Sequence, residues 1–383
     1  MTMRLRTLVF WSHLGTGVLA GLVVLMMSAT GVLLTYERQL TEWAEQQYDV
    51  AVPDNAQPLP VDAILANFEK SHPDEQHFEI RFVNRPGAAV IVWAGPEPFL
   101  LDPYTGAVIR EGEAPIAEFF HFVTRMHRWF ALDDTASFDA ARAITAYSNL
   151  LFLFMILSGV YLWLPRVWRW PILKTKLFFN NKARNAKARD YNWHHVFSFW
   201  ALVPLFVICV SATIFYFPWA NTALYAAFGE AVPLREEHPE HDPQLESGAN
   251  AISNEQLLVH AKTHADDNGA SDWYSIWMEV GETPGEARFY IDRSLGRRPP
   301  FAYALILNTQ NASVKEVKRH DDYSPGDQAW GILRFLHTGE QFGFVGQTIA
   351  GLASLAACLL VYTGIALAWR RLVSPWLRKS RAV

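Results

Sequence analysis

"FWSHLGTGVLAGLVVLMMSATG" occupies Phe10–Gly31, and its reading decides the fold. It is an apolar run with one ionisable side chain, His13. Inside it, Gly15-Thr-Gly17-Val-Leu-Ala20 spells the G-x-G-x-x-A of a dinucleotide-binding loop. That loop needs a strand before it, a helix after it and an acidic ribose partner about twenty residues further on. Here a short basic leader precedes it and apolar sequence continues past Thr30. The small residues therefore read as places where a neighbouring membrane helix approaches closely. The run is also longer than the h-region of about 7–15 residues in a secretory signal peptide, so an uncleaved anchor is expected despite the small residues of "MMSATG".

Working outward, three more such runs follow. The four span roughly Leu8–Tyr36, Ala141–Leu164, Trp193–Trp219 and Gln347–Trp369. Each is long enough to cross a hydrocarbon core of about 30 Å as a helix. Four transmembrane helices are expected. The net charge of −5 conceals an asymmetry between the segments joining them. Arg4 and Arg6 face no acid in Met1–Ser12, Arg166–Asn192 carries eight Lys/Arg against Asp190 alone, and Arg370–Val383 carries five Lys/Arg and no acid. Glu37–Met126 instead has six basic and fifteen acidic residues, and Asn221–Leu336 has ten and eighteen. The positive-inside rule puts both termini and the basic middle loop in the cytoplasm and the two long segments outside. The expected division is 1–36, a cytoplasmic start and first span; 37–126, a first outer module; 127–166, an interface segment and second span; 167–192, the basic loop; 193–219, the third span; 220–336, a second outer module; 337–370, an interface segment and fourth span; and 371–383, a cytoplasmic tail.

The order helix, long outer segment, helix occurs twice, and the motifs repeat with it. "SATG" at Ser28–Gly31 is matched by "SAT" at Ser211–Thr213, and "SGVYLWLPR" at Ser158–Arg166 by "TGIALAWRR" at Thr363–Arg371. "FLLDPYTGAVIREG" (Phe99–Gly112) and "LILNTQNASVKEV" (Leu305–Val317) both read as strand, turn, strand. "HFEIRFVN" and "AAVIVWAG" add strands to the first outer segment, and "PVDAILANFEK" is a short amphipathic helix. "NEQLLVHAKTHA", "DWYSIWMEV", "ARFYIDR" and "FAYALILN" repeat that order in the second. Each outer segment is thus a small α+β module. The aromatics Trp273, Tyr274, Trp277 and Trp330 are expected in the core of these modules, contact with a substrate being the alternative. Cys209 and Cys358 fall inside helices and read as small apolar packers.

Of the thirteen histidines, His72, His77, His238, His241, His260, His264 and His320 sit in polar surroundings and read as surface groups. His238 and His241, in "EEHPEHD", are a weak candidate for loose metal binding. Others stand at helix entrances, in corresponding places of the two repeats: His13 in the first helix, His194 and His195 in "NWHHVFSFW", His127 in "MHRW" and His337 in "LHTG". His121, six residues before His127, is a weaker candidate for the same place. Topology sets His13 level with His194 or His195 on the cytoplasmic side, and His127 level with His337 outside. Ionisable residues in membrane helices are functional candidates by default. Two imidazoles from facing helices are a usual way for a bundle to hold a haem iron through both axial positions. With no C-x-x-C-H, such haem is non-covalent. His194 and His195 lie about 100° apart on a helix, so only one can face a given partner; the residues alone leave that choice open.

"HLGTGVLAGL…SATG", "MHRWFAL…SGVYLWLPR", "NWHHVFSFWAL" and "LHTGEQFGFVGQTIAG…TGIALAWRR" resemble the helix signatures of the PepSY-associated transmembrane family, and "LLDPYTGAVIRE" resembles a PepSY strand-turn-strand. The likeness covers essentially the whole chain and is greatest to the family's siderophore reductases. It implies an α-helical membrane protein of the bacterial inner membrane, with four transmembrane helices in two helix–loop–helix repeats and a periplasmic α+β dome built from two PepSY-like modules. It implies two b-type haems, with His13, His127, His194 and His337 as axial ligands; His195 stays the alternative to His194, and Leu-Gly-Thr-Gly after His13 departs from the family's pattern. It also implies one-electron reduction of a ferric siderophore, expected to be of hydroxamate type, in the periplasm. Electrons would come from a cytoplasmic reductase or a membrane quinol, because the chain has no flavin or nucleotide motif of its own. The lipid bilayer is a further partner; nucleic acid is not. Two rival classes are a non-enzymatic PepSY sensor and a siderophore permease. The first needs no histidine pairs, and the second expects polar residues near the midplane, where "LVVLMM", "FLFMIL", "VPLFVICV" and "LAACLLVY" are apolar.

Overall fold

A computed structural model of the chain describes residues 2–54, 56–72, 78–95, 97–133, 136–233, 252–280 and 285–375. The path runs through α1 (Thr2–Leu33), α2 (Glu37–Glu45), α3 (Val61–Ser71), β1 (Phe78–Val83), β2 (Val90–Ala94), β3 (Glu97–Leu101) and β4 (Val108–Glu111). Next come α4 (Pro115–Trp129), α5 (Phe138–Trp163), α6 (Trp170–Leu177), α7 (Ala186–Trp200), α8 (Leu202–Tyr216) and α9 (Pro218–Ala227). It ends with α10 (Asn254–Asp267), β5 (Ser275–Val280), β6 (Glu286–Asp292), β7 (Ala302–Asn308), β8 (Val314–Arg319), α11 (Pro325–Thr338) and α12 (Gly343–Leu372). These elements form two compact units, one of Met1–Tyr36, Phe120–Gly229 and Leu333–Val383, the other of Glu37–Phe119 and Glu230–Ile332.

The first unit is helical, and it makes the chain a membrane protein. Three of its helical segments are long and apolar enough to span a bilayer, with α7 and α8 a fourth if their bent pair counts as one span. The third apolar run is therefore not the single straight helix expected over 193–219. It bends by 66° between Trp200 and Leu202. Pro204 is the physical reason: it offers no N–H to the Trp200 carbonyl and its ring crowds that group. The helix restarts one residue later, with Leu205 N–H donating to the Ala201 carbonyl at 2.9 Å. It stops at Tyr216 because Pro218 holds Phe217 extended, at φ −94° and ψ 116°.

Helix α1 packs on α5 and α12. Gly17 lies against Met155 and Gly21 against Val361 and Ile365, whereas Gly15 has nothing within 4 Å of where a Cβ would stand. Two of the three glycines thus set helix approach distances, the role small residues play where lipid removes the hydrophobic drive between helices. Ala20 and Val24 are buried at that contact, while Leu19 and Leu22 are exposed on the opposite face. Cys209 and Cys358 are free thiols.

The second unit is built on one eight-stranded antiparallel sheet of order β4-β3-β2-β1-β5-β6-β7-β8. Its two four-stranded halves join through their first strands, from Phe78 opposite Val280 to Val83 opposite Ser275. Helices α3 and α10 cover one face and close a core around Phe68, Ile80, Leu101, Leu258, Phe289 and Leu305. The two helix starts cap each other: Asp62 accepts from Asn254 N and Glu255 N, both at 3.0 Å, and Glu255 accepts from Val61 N at 2.8 Å. Carboxylates there answer the unpaired amides of a helix N-terminus. Of the four aromatics expected in the core, Trp273 packs at its edge. Trp277 does not belong to it. Ile276 and Met278 take the inward positions of β5, and alternation sends Trp277 to the other face, stacked on Trp93 at 4.8 Å. Tyr274 lies beside Arg81 near that same residue, and Trp330 on α11 is exposed.

Candidate functional site

Four histidines in the helical unit share one local arrangement. His13 sits on α1, His127 near the end of α4, His194 on α7 and His337 near the end of α11. The segments before α5 and α12 are thus helices in their own right, of 15 and 14 residues. Phe130 and Ala131 take positive φ after α4, and Gly339 does so after α11. Gly339 packs so closely on Gly346 that a Cβ on either would overlap the other's carbonyl, which holds the end of α11 against the start of α12.

In each case the imidazole Nδ1 meets a hydroxyl on another helix. His13 lies 2.9 Å from Ser158 Oγ, His127 2.9 Å from Thr30 Oγ1, His194 3.0 Å from Thr363 Oγ1 and His337 3.1 Å from Ser211 Oγ. Each hydroxyl donates to the carbonyl one turn back on its own helix: Ser158 to Phe154 at 2.8 Å, Thr30 to Met26 at 2.8 Å, Thr363 to Leu359 at 2.7 Å and Ser211 to Val207 at 2.8 Å. A hydroxyl has a single proton. With that proton directed at the carbonyl, the oxygen accepts from the ring, so Nδ1–H donates and Nε2 keeps its lone pair. His337 Nδ1 also lies 3.1 Å from the Ile208 carbonyl, which can only accept. This network assigns the tautomer, as such networks do for histidine generally.

Glycines next to three of the hydroxyls leave room for the rings against the partner helix. A Cβ on Gly159 would stand 3.5 Å from His13 Cε1, one on Gly364 3.5 Å from His194 Cε1, and one on Gly31 3.8 Å from His127 Cε1. The hydroxyls and glycines come from the repeated "SATG", "SAT", "SG" and "TG" strings.

Two of the rings meet directly, and the other two line one cavity. His127 and His337 have centroids 6.3 Å apart with planes at 75°, which leaves room for one metal atom bonded to both at about 2 Å. His13 and His194 line one cavity of about 860 Å³ whose walls are mostly apolar, among them Leu14, Phe152, Met155 and Leu360. His195 lines it too, but its Nδ1 donates to the Tyr191 carbonyl of its own helix at 2.9 Å. It lacks the hydroxyl partner on another helix that the other four have. His121 is exposed on α4. In the sheet unit His72 stacks on Phe68 and His264 bonds the Tyr303 hydroxyl; His260 and His320 lie there as well, while His77, His238 and His241 fall outside the described residues.

Among the described residues no three His, Cys, Asp or Glu side chains cluster as a metal cage. His127 and His337 are thus a two-nitrogen donor set, and His13 and His194 put two imidazole nitrogens into one mostly apolar cavity. Such a set fits a metal whose remaining positions are filled by a flat macrocycle and needs no further protein ligand. The outer-shell bond at Nδ1 is the device by which ligating histidines are held in one orientation and tautomer.

The family model for the PepSY-associated TM region matches residues 10–371. A search of curated proteins finds no match to the chain.

Proposed function

The chain belongs to the family of PepSY-associated TM regions, and from that premise we propose that it is a ferric-siderophore reductase that moves electrons across the bacterial inner membrane. Its helix signatures resemble those of the inner-membrane ferrisiderophore reductase FoxB. The observation that carries the reading is the pair of two-imidazole sites, each ring holding Nδ1 on a neighbouring hydroxyl and leaving Nε2 for a metal. His13 with His194 would hold one b-type haem, and His127 with His337 a second. Haem bound there supplies reversible one-electron chemistry.

The rest is the work of the chain itself. His13 and Thr30, the latter bonded to His127, stand 17 residues apart on α1, or about 25 Å of helix. The two sites are thus spread along the bilayer normal. The basic loop between α5 and α7 supports a cytoplasmic position for the His13 end and a periplasmic one for the sheet unit. That unit, read as two PepSY-like modules, one from the long segment of each helix–loop–helix repeat, is the part that would receive the ferric siderophore. One electron from a cytoplasmic reductase or a membrane quinol converts Fe³⁺ to Fe²⁺. Hard oxygen ligands hold ferrous iron far less well, so the metal is released.

The test is the absorbance of detergent-purified protein, oxidised and dithionite-reduced, with the pigment extracted into acid–acetone. Two low-spin haems per chain, reoxidised by a ferric hydroxamate, are expected. A colourless protein sinks the reading and leaves a non-enzymatic PepSY sensor.

A further inference from the structure

We propose that Arg6, Arg166, Lys187 and Arg371 form an anion clamp at the mouth of the His13–His194 cavity, and that its ligand is the pair of carboxylates of a tetrapyrrole held there. The inference rests on the haem reading above and adds a site to it. All four residues line the cavity. Their positions follow a register. Arg6 stands seven residues before His13 and Lys187 seven before His194. Arg166 and Arg371 stand seven residues after Gly159 and Gly364, the glycines packed on those two rings. Helices α1 and α7 begin at this end of the unit, and α5 and α12 finish at it. Seven residues is about two helical turns, or about 10 Å, which sets Arg6, Lys187 and Arg371 at one level outside the imidazoles, while Arg166 follows the end of α5 at Trp163.

The only acid in the basic loop is Asp190, and it is already engaged, with Arg189 at 2.9 Å and Arg370 at 2.5 Å. Among the described residues none of the four cations pairs with a carboxylate. Two of them are held in place by other means. Arg6 Nη2 donates to the carbonyls of Leu162 and Leu164 at 2.7 and 3.2 Å. The Arg371 guanidinium lies over Phe10 and Trp11, 4.5 and 5.2 Å from the ring centroids. Topology alone asks for basic residues in this loop but not for this register; Lys174, Lys182 and Arg184 serve orientation equally and do not line the cavity. An apolar cavity with two free Nε2 donors inside and four unpaired cations at its mouth suits a flat apolar body carrying carboxylates on one edge. Guanidinium–carboxylate pairing is then the strong, charge-assisted kind.

The experiment titrates haem-depleted full-length protein, in phosphatidylcholine nanodiscs, with haem and with haem dimethyl ester, which lacks the charges. Wild type should prefer haem by about tenfold or more, the scale of one charge-assisted hydrogen bond. Arg6→Gln/Arg371→Gln should bind the two equally, and the milder Arg371→Gln should lose part of the preference while Arg371→Lys keeps most of it. A double variant that still prefers haem as wild type does overturns the proposal. So does a double variant that, in parallel nanodiscs containing phosphatidylglycerol, is changed only in its retention of that lipid, since the cations would then serve lipid headgroups. Wild type that binds neither compound removes the haem reading itself, a result separable from loss of discrimination.

Discussion

His194 Nδ1 lies 3.0 Å from Thr363 Oγ1, and the Thr363 hydroxyl in turn donates to the Leu359 carbonyl at 2.7 Å. The chain of bonds runs from ring to hydroxyl to backbone, so it fixes both the tautomer and the ring orientation of His194. Thr363→Ala removes the acceptor and leaves the ring to turn. Loss of such an outer-shell partner costs about 10–100-fold in metal affinity. Thr363→Ala should weaken haem binding at this pair within that range and shift its midpoint potential. Thr363→Ser, which keeps the hydroxyl, should restore both. A potential unmoved by Thr363→Ala in a fully loaded protein would mean the hydroxyl is only a packing group.

The neighbouring histidines give a discriminating pair of variants. His195 donates Nδ1 to Tyr191 on its own helix and has no partner hydroxyl across the bundle. Haem per chain should therefore fall from two to one in His194→Ala and stay at two in His195→Ala, measured by pyridine haemochrome. The reverse pattern would transfer the ligand role to His195.

Gly364 offers a steric test of the same contact. Its Cβ would stand 3.5 Å from His194 Cε1, an ordinary van der Waals separation. Gly364→Ala should keep both haems, whereas Gly364→Val places branches where the ring lies and should lose one. Equal haem content in the two variants would show that the ring has room to move.

How much of this was legible in the sequence differs by residue. His13, His127 and His337 stand out because an ionisable group beside an apolar run is costly and their places repeat. The hydroxyls were visible as "SATG", "SAT", "SG" and "TG" but not as partners. Ser158 is 145 residues from His13 and Thr363 is 169 from His194, and no local pattern states which helix faces which. The choice of His194 over His195 rests on the same non-local contact. The bend at Ala201 was local and readable in principle, since Pro204 sits inside the run. The strands and turns of each outer segment followed from alternation and turn residues. The joining of both halves through β1 and β5 spans about two hundred residues of sequence separation and has no local signal.

Orientation rests on the basic loop and is tested separately. A phosphatase or fluorescent reporter fused after Lys182 should report the cytoplasm, and one inserted near Asn55 or Gly248 the periplasm. Opposite labelling would exchange the electron-entry and delivery ends of the molecule.

The direction of electron flow gives the last prediction. His13 and His194 belong to the end where α1 and α7 begin, and His127 and His337 to the end where Thr30 and Ser211 meet them. Between His13 and Leu33 helix α1 carries no charged side chain, so this helix offers no relay along that length. His337→Ala should lose one haem and leave the other reducible, but abolish reoxidation by a ferric hydroxamate. His13→Ala should keep a haem that dithionite reduces and the substrate reoxidises, while the physiological donor no longer fills it. Both variants are followed by stopped-flow absorbance after pre-reduction. The contrast matters more than either rate, because a general folding defect slows both and only a directional path separates them. If the His337 variant reoxidises as fast as wild type, the His127–His337 site is not where electrons leave, and the proposed mechanism fails.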